Sequence, residues 1–423
     1  MKKLPELSLL ISISCLIVGH GGGDPSDIFK EEKEPTEEEV LNNIQRNNQI
    51  KCDQWTRLSP RNAPTLCLSH LEGITEEDWF EEAEHSLMIV DSSALDFTSL
   101  GPIKKVPGSL HIHQTKEISD LHGLENIEFI GQDLEVTSNP KLESLNGLSS
   151  LTTIGGGLYL DSNHKLEEFH GLSQLDSLGG KLSLLGNHSL TKVHWEEIPN
   201  GISGGLTANE NPSLTELTFS FQNNRKPSLF LKGNPKLKLV SLTKKSELLS
   251  ALILENLPQL EDYSFLEQID SVQGLYLTAP LSAKIESNLS HLQGLKAISL
   301  KGVPFPVSHA NLNSLSVLSL SNVIGTDTIQ FPEGIDSLHT VNLWENPDLV
   351  SLSGLDHGNS LRVVQIHKNP LLTSIGNIES QALQAVQIFD NPNLCEKDIL
   401  ALFAKLDSTK VSLAQSGNKF CKE

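Results

Sequence analysis

Eight asparagines recur along this chain at nearly one spacing: Asn139, Asn163, Asn187, Asn211 and Asn234, then Asn346, Asn369 and Asn391. The first four stand 24 residues apart, and the later steps within each run are 22 or 23. A period of about 20 to 50 residues marks an architecture of stacked repeats, in which each unit buries its apolar face only against its neighbours. That constraint also bears on function. A chain given over to one repeated rung presents a long surface rather than a deep pocket.

Each asparagine closes a phrase in which two apolar residues flank a variable one. Clear copies are Leu158-Tyr159-Leu160, Leu182-Ser183-Leu184, Val341-Asn342-Leu343 and Val364-Gln365-Ile366. Alternation with period two predicts a short strand with its leucines in a core and its middle residue in solvent. Beyond the asparagine a second rhythm takes over, with apolar residues at every third position. Leu142, Leu145, Leu148, Leu151 and Ile154 form one copy; Leu166, Phe169, Leu172, Leu175 and Leu178 form the next. Such a chain bends repeatedly around a narrow core, and Gly155-Gly156-Gly157 or Gly179-Gly180 ease the last corner.

Followed past the asparagines, the strand phrase has anchors at Ser92, Thr115, Asn139, Asn163, Asn187, Asn211, Asn234, Leu257, Pro280, Val303, Val323, Asn346, Asn369 and Asn391, with a distorted last copy near Ser416. A buried asparagine at a bend can satisfy backbone groups of its own rung and of its neighbour, making a ladder. The rungs from Leu257 to Val323 lack it, so residues 247–331 are expected to be irregular, with Pro304 and Pro306 marking a bulge or extruded loop. Strands advancing ~4.8 Å each predict a rod roughly 65–70 Å long.

The net charge of −21, with acidic residues concentrated between Asp24 and Glu39, argues against nucleic acid and anionic membrane surfaces as partners. Lys2-Lys3 followed by the apolar run Leu7–Val18 reads as an export signal over residues 1–19, too short to span a bilayer. Residues 20–50 then form an acidic tether, 51–85 an N-terminal cap, 86–394 the repeats and 395–423 a C-terminal cap. Cys52–Cys67 and Cys395–Cys421 are the simplest disulfide pairing, one in each cap. Ile399, Leu400, Leu402, Phe403 and Leu406 carry the pattern of a short helix laid over the C-terminal edge of the core. The odd cysteine, Cys15, lies inside the export segment and resembles the lipid-modified cysteine of bacterial lipoproteins. Ser12 and the apolar Leu16-Ile17-Val18 depart from that motif, and ordinary cleavage after Gly19 or Gly21 is the alternative.

The stretch from Asn139 to Leu190, NPKLESLNGLSSLTTIGGGLYLDSNHKLEEFHGLSQLDSLGGKLSLLGNHSL, resembles the repeats of receptor L domains, as do Asn346-Pro347, Asn369-Pro370 and Asn391-Pro392-Asn393-Leu394-Cys395. Such domains form the ligand-binding ends of insulin-type and epidermal-growth-factor-type receptors and occur in fungal wall proteins and bacterial surface lipoproteins. The likeness runs from about Ser86 to Cys421 and is weaker between Glu247 and Phe331. It implies a mainly β chain coiled as a right-handed parallel β-solenoid of leucine-rich-repeat kinship, with binding as its usual role. The cysteine-rich and kinase modules of the animal receptors are missing, so transmembrane signalling does not carry over.

Only outward strand positions are free to recognise a partner. One outward column holds Phe230, Ile253 and Tyr276 on three successive rungs; the column two residues further along holds Trp344, His367 and Phe389. Aromatic residues clustered on a strand face suit protein and carbohydrate contacts alike, although similar side chains also stack merely to stabilise a sheet. His111 and His113 share a face as a metal pair could, but no third ligand is evident, and neither a metal nor a cofactor is assigned. Asn187-His188-Ser189 and Asn288-Leu289-Ser290 have the form of glycosylation sequons. Catalysis on a polysaccharide would need paired acids on neighbouring rungs, whereas Asp161 and Glu255 are four rungs apart. The sequence thus predicts a non-catalytic protein that binds a protein or glycan at the cell envelope or surface. It would reach the membrane, notably an outer membrane, through a lipid on Cys15, or else be secreted. A wall-associated rod without a specific ligand is the alternative, and a polysaccharide-active enzyme a more distant one.

Overall fold

The computed structural model describes residues 65–68 and 86–421, apart from 93, 169, 196–199, 223–224, 281–290, 304, 306–312, 333–334 and 357–358. The export segment, Cys15, the tether, Cys52, Phe169, Pro304, Pro306 and the sequon at Asn288 lie outside the described residues, as does all of the N-terminal cap except 65–68.

The chain is a parallel β-solenoid. Its main sheet has sixteen strands in chain order, from Thr65–Leu68 to Ser412–Ser416, each hydrogen-bonded in parallel to the next. Every anchored phrase falls on one of these strands, and Thr65–Leu68 adds a strand ahead of the first phrase, pairing with Ser86–Val90. The return side of the coil carries smaller parallel sheets. Lys105–Val106, Phe129–Ile130, Thr153–Ile154 and Ser177–Leu178 form one, and Lys192–His194, Glu216–Phe219 and Leu239–Leu242 another. Gln54–Glu423 groups as one compact unit.

The alternation seen in the sequence is the alternation of burial. Leu158, Leu160, Leu182, Leu184, Val341 and Leu343 are fully buried, and so are Leu142, Leu145, Leu148, Leu151 and Ile154 on the return path. Burying one such side chain contributes about 1.5–3 kcal/mol, so a thin leucine-lined interior suffices when every rung adds several. The corner glycines have a steric reason: a Cβ on Gly155 would lie 2.2 Å from the carbonyl oxygen of Gly131 one rung earlier.

The asparagine ladder forms as expected. The Oδ1 atoms of Asn163, Asn187, Asn211 and Asn234 each accept the backbone N–H of the preceding anchor, at 2.9–3.0 Å. Each Nδ2 donates backward to a carbonyl of the preceding strand, as from Asn163 to Val136 and from Asn187 to Leu160, both at 2.6 Å. The second run, Asn346, Asn369 and Asn391, repeats the pattern. Its last step goes beyond the sequence reading. The distorted last copy near Ser416 has Asn418 as its anchor: its Oδ1 accepts the N–H of Asn391 at 3.0 Å and its Nδ2 donates to Ile388 O at 2.8 Å.

Before most anchors the backbone turns left-handed. Ser138, Ser162, Glu210, Glu345, Lys368 and Asp390 have φ between 54 and 59°, and Gly186, Gly233, Gly302 and Gly417 occupy the same place on their rungs. This turn aims the anchor side chain into the core. Two asparagines, Asn256 and Asn322, fill it directly ahead of the apolar anchors Leu257 and Val323, where asparagine tolerates the conformation best among residues with a side chain.

Among the described residues of 247–331 the main sheet continues, while Pro304 and Pro306, where a bulge or extruded loop was expected, lie outside them. Ser246–Glu255 and Ile269–Thr278 are each ten residues long, and pairing continues in register through Ala297–Lys301 and Val317–Ser321 into Thr340–Trp344. Leu257, Val303 and Val323 bury apolar side chains where the other rungs bury asparagine. Main-chain pairing and these buried apolar anchors carry the sheet across the gap in the ladder.

At the C-terminal edge the helix Glu396–Phe403 buries Ile399 and Leu402, while Leu400 points outward at 51% exposure. Cys395 and Cys421 form the expected disulfide, which fastens the last strand beside this helix. Glu396 and Asp398 in the first turn match the positive end of the helix dipole.

Candidate functional site

Strand register turns both outward columns into physical rows. Phe230 pairs with Ile253 and Ile253 with Tyr276, so the first strip exists, with all three side chains half-buried. Trp344 pairs with His367 and His367 with Phe389. Their rings stack along the sheet: Trp344 to His367 at 4.9 Å between centroids and 28° between planes, and His367 to Phe389 at 5.0 Å and 50°.

Serine borders this second strip on either side, since Ser321 pairs with Trp344 and Ser416 with Phe389. A serine side chain is too short to cover a ring on the next strand. The indole accordingly stays 38% exposed, while His367 is held between two rings. Burial pulls the His367 imidazole below its ordinary value and outweighs the Asp390 carboxylate, which acts in the opposite direction. Among the described residues, His367 Nε2 and Asn342 Oδ1 are buried without a hydrogen-bond partner. Asn342 lies on the strand of Trp344, two residues before it and on the same face. The strip thus combines an open indole with two unanswered polar atoms, which the sequence alone did not disclose.

A second constellation occupies the N-terminal part of the same face. His111 and His113 project outward from Leu110–His113, and Glu135 on the next strand pairs with His111. The third group missing from the sequence reading is therefore this carboxylate. Glu135 Oε2 lies 3.1 Å from His111 Nδ1 and 3.5 Å from His113 Nε2. Burial raises the Glu135 carboxyl, but hydrogen bonds and charge from the two imidazoles prevail and hold it at about 2. The imidazoles are nearly parallel, 11° apart, and Thr137 hydrogen-bonds His113 Nδ1. Glu135 precedes its anchor by four residues, as Tyr159 and Ser183 precede theirs, and the same count back from Thr115 gives His111, so the sequence does contain this neighbour.

Asn187 is fully buried, and its side chain is engaged in the ladder. A sequon there offers no accessible amide. Asp161 accepts hydrogen bonds from Ser183 Oγ at 2.9 Å and from the Leu185 N–H at 3.0 Å, which tie its rung to the next.

No protein-family model matches the chain, and no curated protein matches its sequence. The resemblance to receptor L domains accordingly rests on the repeat phrases themselves.

Proposed function

We propose that the protein is a non-catalytic recognition module that works outside the cytoplasm and binds a protein or glycan on the outward face of its main sheet. The observation that carries this reading is the Trp344–His367–Phe389 row of rings, with its exposed indole. A row of aromatic rings supplies contact area at low entropic cost. The Cys395–Cys421 disulfide and the export-like N-terminus support an extracytoplasmic setting, with a lipid on Cys15 as the proposed attachment.

The rival reading is a rod without a ligand. Cross-rung ion pairs such as Lys232–Glu255 at 3.3 Å and Lys368–Glu345 at 3.2 Å favour it, because they stiffen the same face. Capture from envelope extracts separates the two. The wild-type protein should retain a protein or glycan, and Trp344→Ala with Phe389→Ala should lose it while the circular dichroism spectrum stays unchanged. Equal retention by both proteins would remove the strip as the contact site, and no specific retention by the wild type would favour the rod.

A further inference from the structure

We propose that His111, His113 and Glu135 form a binding site for a divalent transition-metal ion, zinc being the best match, with one coordination position left open towards solvent.

The argument begins with donor chemistry. Two imidazoles and one carboxylate make a recurrent ligand set for zinc with an open fourth position, and imidazole also suits copper, nickel and iron. The three ligand atoms lie within 4.8 Å of one another. Bonds of about 2.0–2.2 Å to nitrogen and oxygen set the corners of a tetrahedral zinc site about 3.3–3.5 Å apart. The separations from Glu135 Oε2, 3.1 Å to His111 Nδ1 and 3.5 Å to His113 Nε2, bracket that spacing. Two edges of the triangle thus already have the spacing of a tetrahedral site, and the third is no longer than 4.8 Å, within reach of a side-chain rotation.

Backbone geometry prepares this arrangement. Alternation puts both histidines on one face of a single strand, and parallel pairing sets Glu135 across from His111. Both backbones belong to a continuous sheet, so the donors are held by rigid elements rather than by a loop. Thr137, which pairs with His113, engages its Nδ1 and so leaves Nε2 to face the carboxylate. That is the second-layer contact by which metal sites fix a histidine's orientation. On the preceding strand Met88 and Val90 are buried beside His111 and His113, giving the site an apolar wall. The histidine side chains are 12% exposed and that of Glu135 is 29% exposed, so the trio is sheltered yet reachable. An open position there would accept water or an oxygen atom of a partner molecule. The site is independent of the Trp344 strip, and neither proposal rests on the other.

Untagged protein stripped with chelator and titrated with zinc alone should bind one ion per chain. Glu135→Gln and His113→Asn should each weaken binding by more than the roughly 10–100-fold that second-layer contacts are worth, and Thr137→Val by about tenfold. Cobalt in place of zinc should give the intense visible bands of a four-coordinate ion in the wild-type protein, displaced by added zinc. That spectrum decides the matter if a variant fails to fold. Absence of both zinc binding and the cobalt bands would overturn the proposal. So would zinc binding undiminished in folded Glu135→Gln and His113→Asn, which would place the ion elsewhere.

Discussion

Asn163 Oδ1 accepts the backbone N–H of Asn139 at 3.0 Å, while Asn163 Nδ2 donates to Val136 O at 2.6 Å. One side chain thus satisfies both a donor and an acceptor of the neighbouring rung in a site without solvent. Removing it orphans both groups at once. Asn163→Ala should destabilise the protein by about 2–4 kcal/mol, since a buried polar group left unsatisfied costs about 1–3 kcal/mol. Urea unfolding monitored by circular dichroism measures this, and a midpoint equal to wild type would contradict the ladder's energetic role.

The left-handed turn before most anchors predicts opposite effects at two equivalent positions. At Gly186, φ is 70° and a Cβ would meet nothing closer than Ser162 Oγ at 3.8 Å, so Gly186→Ala tests backbone conformation with little steric contribution. It should cost about 1–2 kcal/mol. Ser162, at φ 59°, should gain stability on replacement by glycine, by up to about 1 kcal/mol after the greater chain entropy of glycine is offset. Thermal unfolding of the two variants should shift in opposite directions.

His367 lies in an environment that disfavours its charged form. Its folded-state midpoint is thus below the unfolded value of about 6.5, and the unfolded chain binds the proton more readily. The stability contributed by keeping the imidazole neutral is fully present above about pH 6.5 and is lost as pH falls through the folded midpoint. NMR titration should show this midpoint below that of an exposed histidine. Trp344→Ala, which uncovers the ring, should move it upward; an unchanged midpoint would mean that the stack does not desolvate His367.

Opening Cys395–Cys421 releases a 26-residue span. Loop entropy assigns such a crosslink about 3–4 kcal/mol. Cys395→Ser with Cys421→Ser should therefore raise hydrogen exchange in Glu396–Phe403 and Ser412–Ser416. Exchange at Lys181–Leu185, ten strands away along the sheet, should stay as it was, because stacked rungs couple mainly to their neighbours. Uniform loosening would indicate a single cooperative unit instead.

Much of this architecture was legible because contacts between rungs occur at nearly constant sequence lag. A lag of 24 from Asn139 through Asn211 makes the inward leucines, the asparagine ladder and the outward columns readable as rows, and strand register reproduces them. The aromatic row Trp344, His367, Phe389 followed from the same counting. Where the lag changes, counting fails: the final ladder step spans 27 residues, which hid Asn418 behind the helix inserted before it. Between Leu257 and Val323 the asparagines are missing, yet the strands there keep their pairing, because backbone hydrogen bonds do not depend on that side chain.

The repeating pattern by itself determined that the chain coils, which side chains line its interior and which rows face out, because a periodic apolar code has one way to bury itself. Tertiary structure alone decided how neighbouring rows meet in detail. It leaned Glu135 towards His111 and His113, left the Trp344 indole beside a serine, and held the residue before most anchors left-handed. Those outcomes depend on side-chain reach and backbone torsion across strands about 4.8 Å apart, quantities that periodicity does not encode.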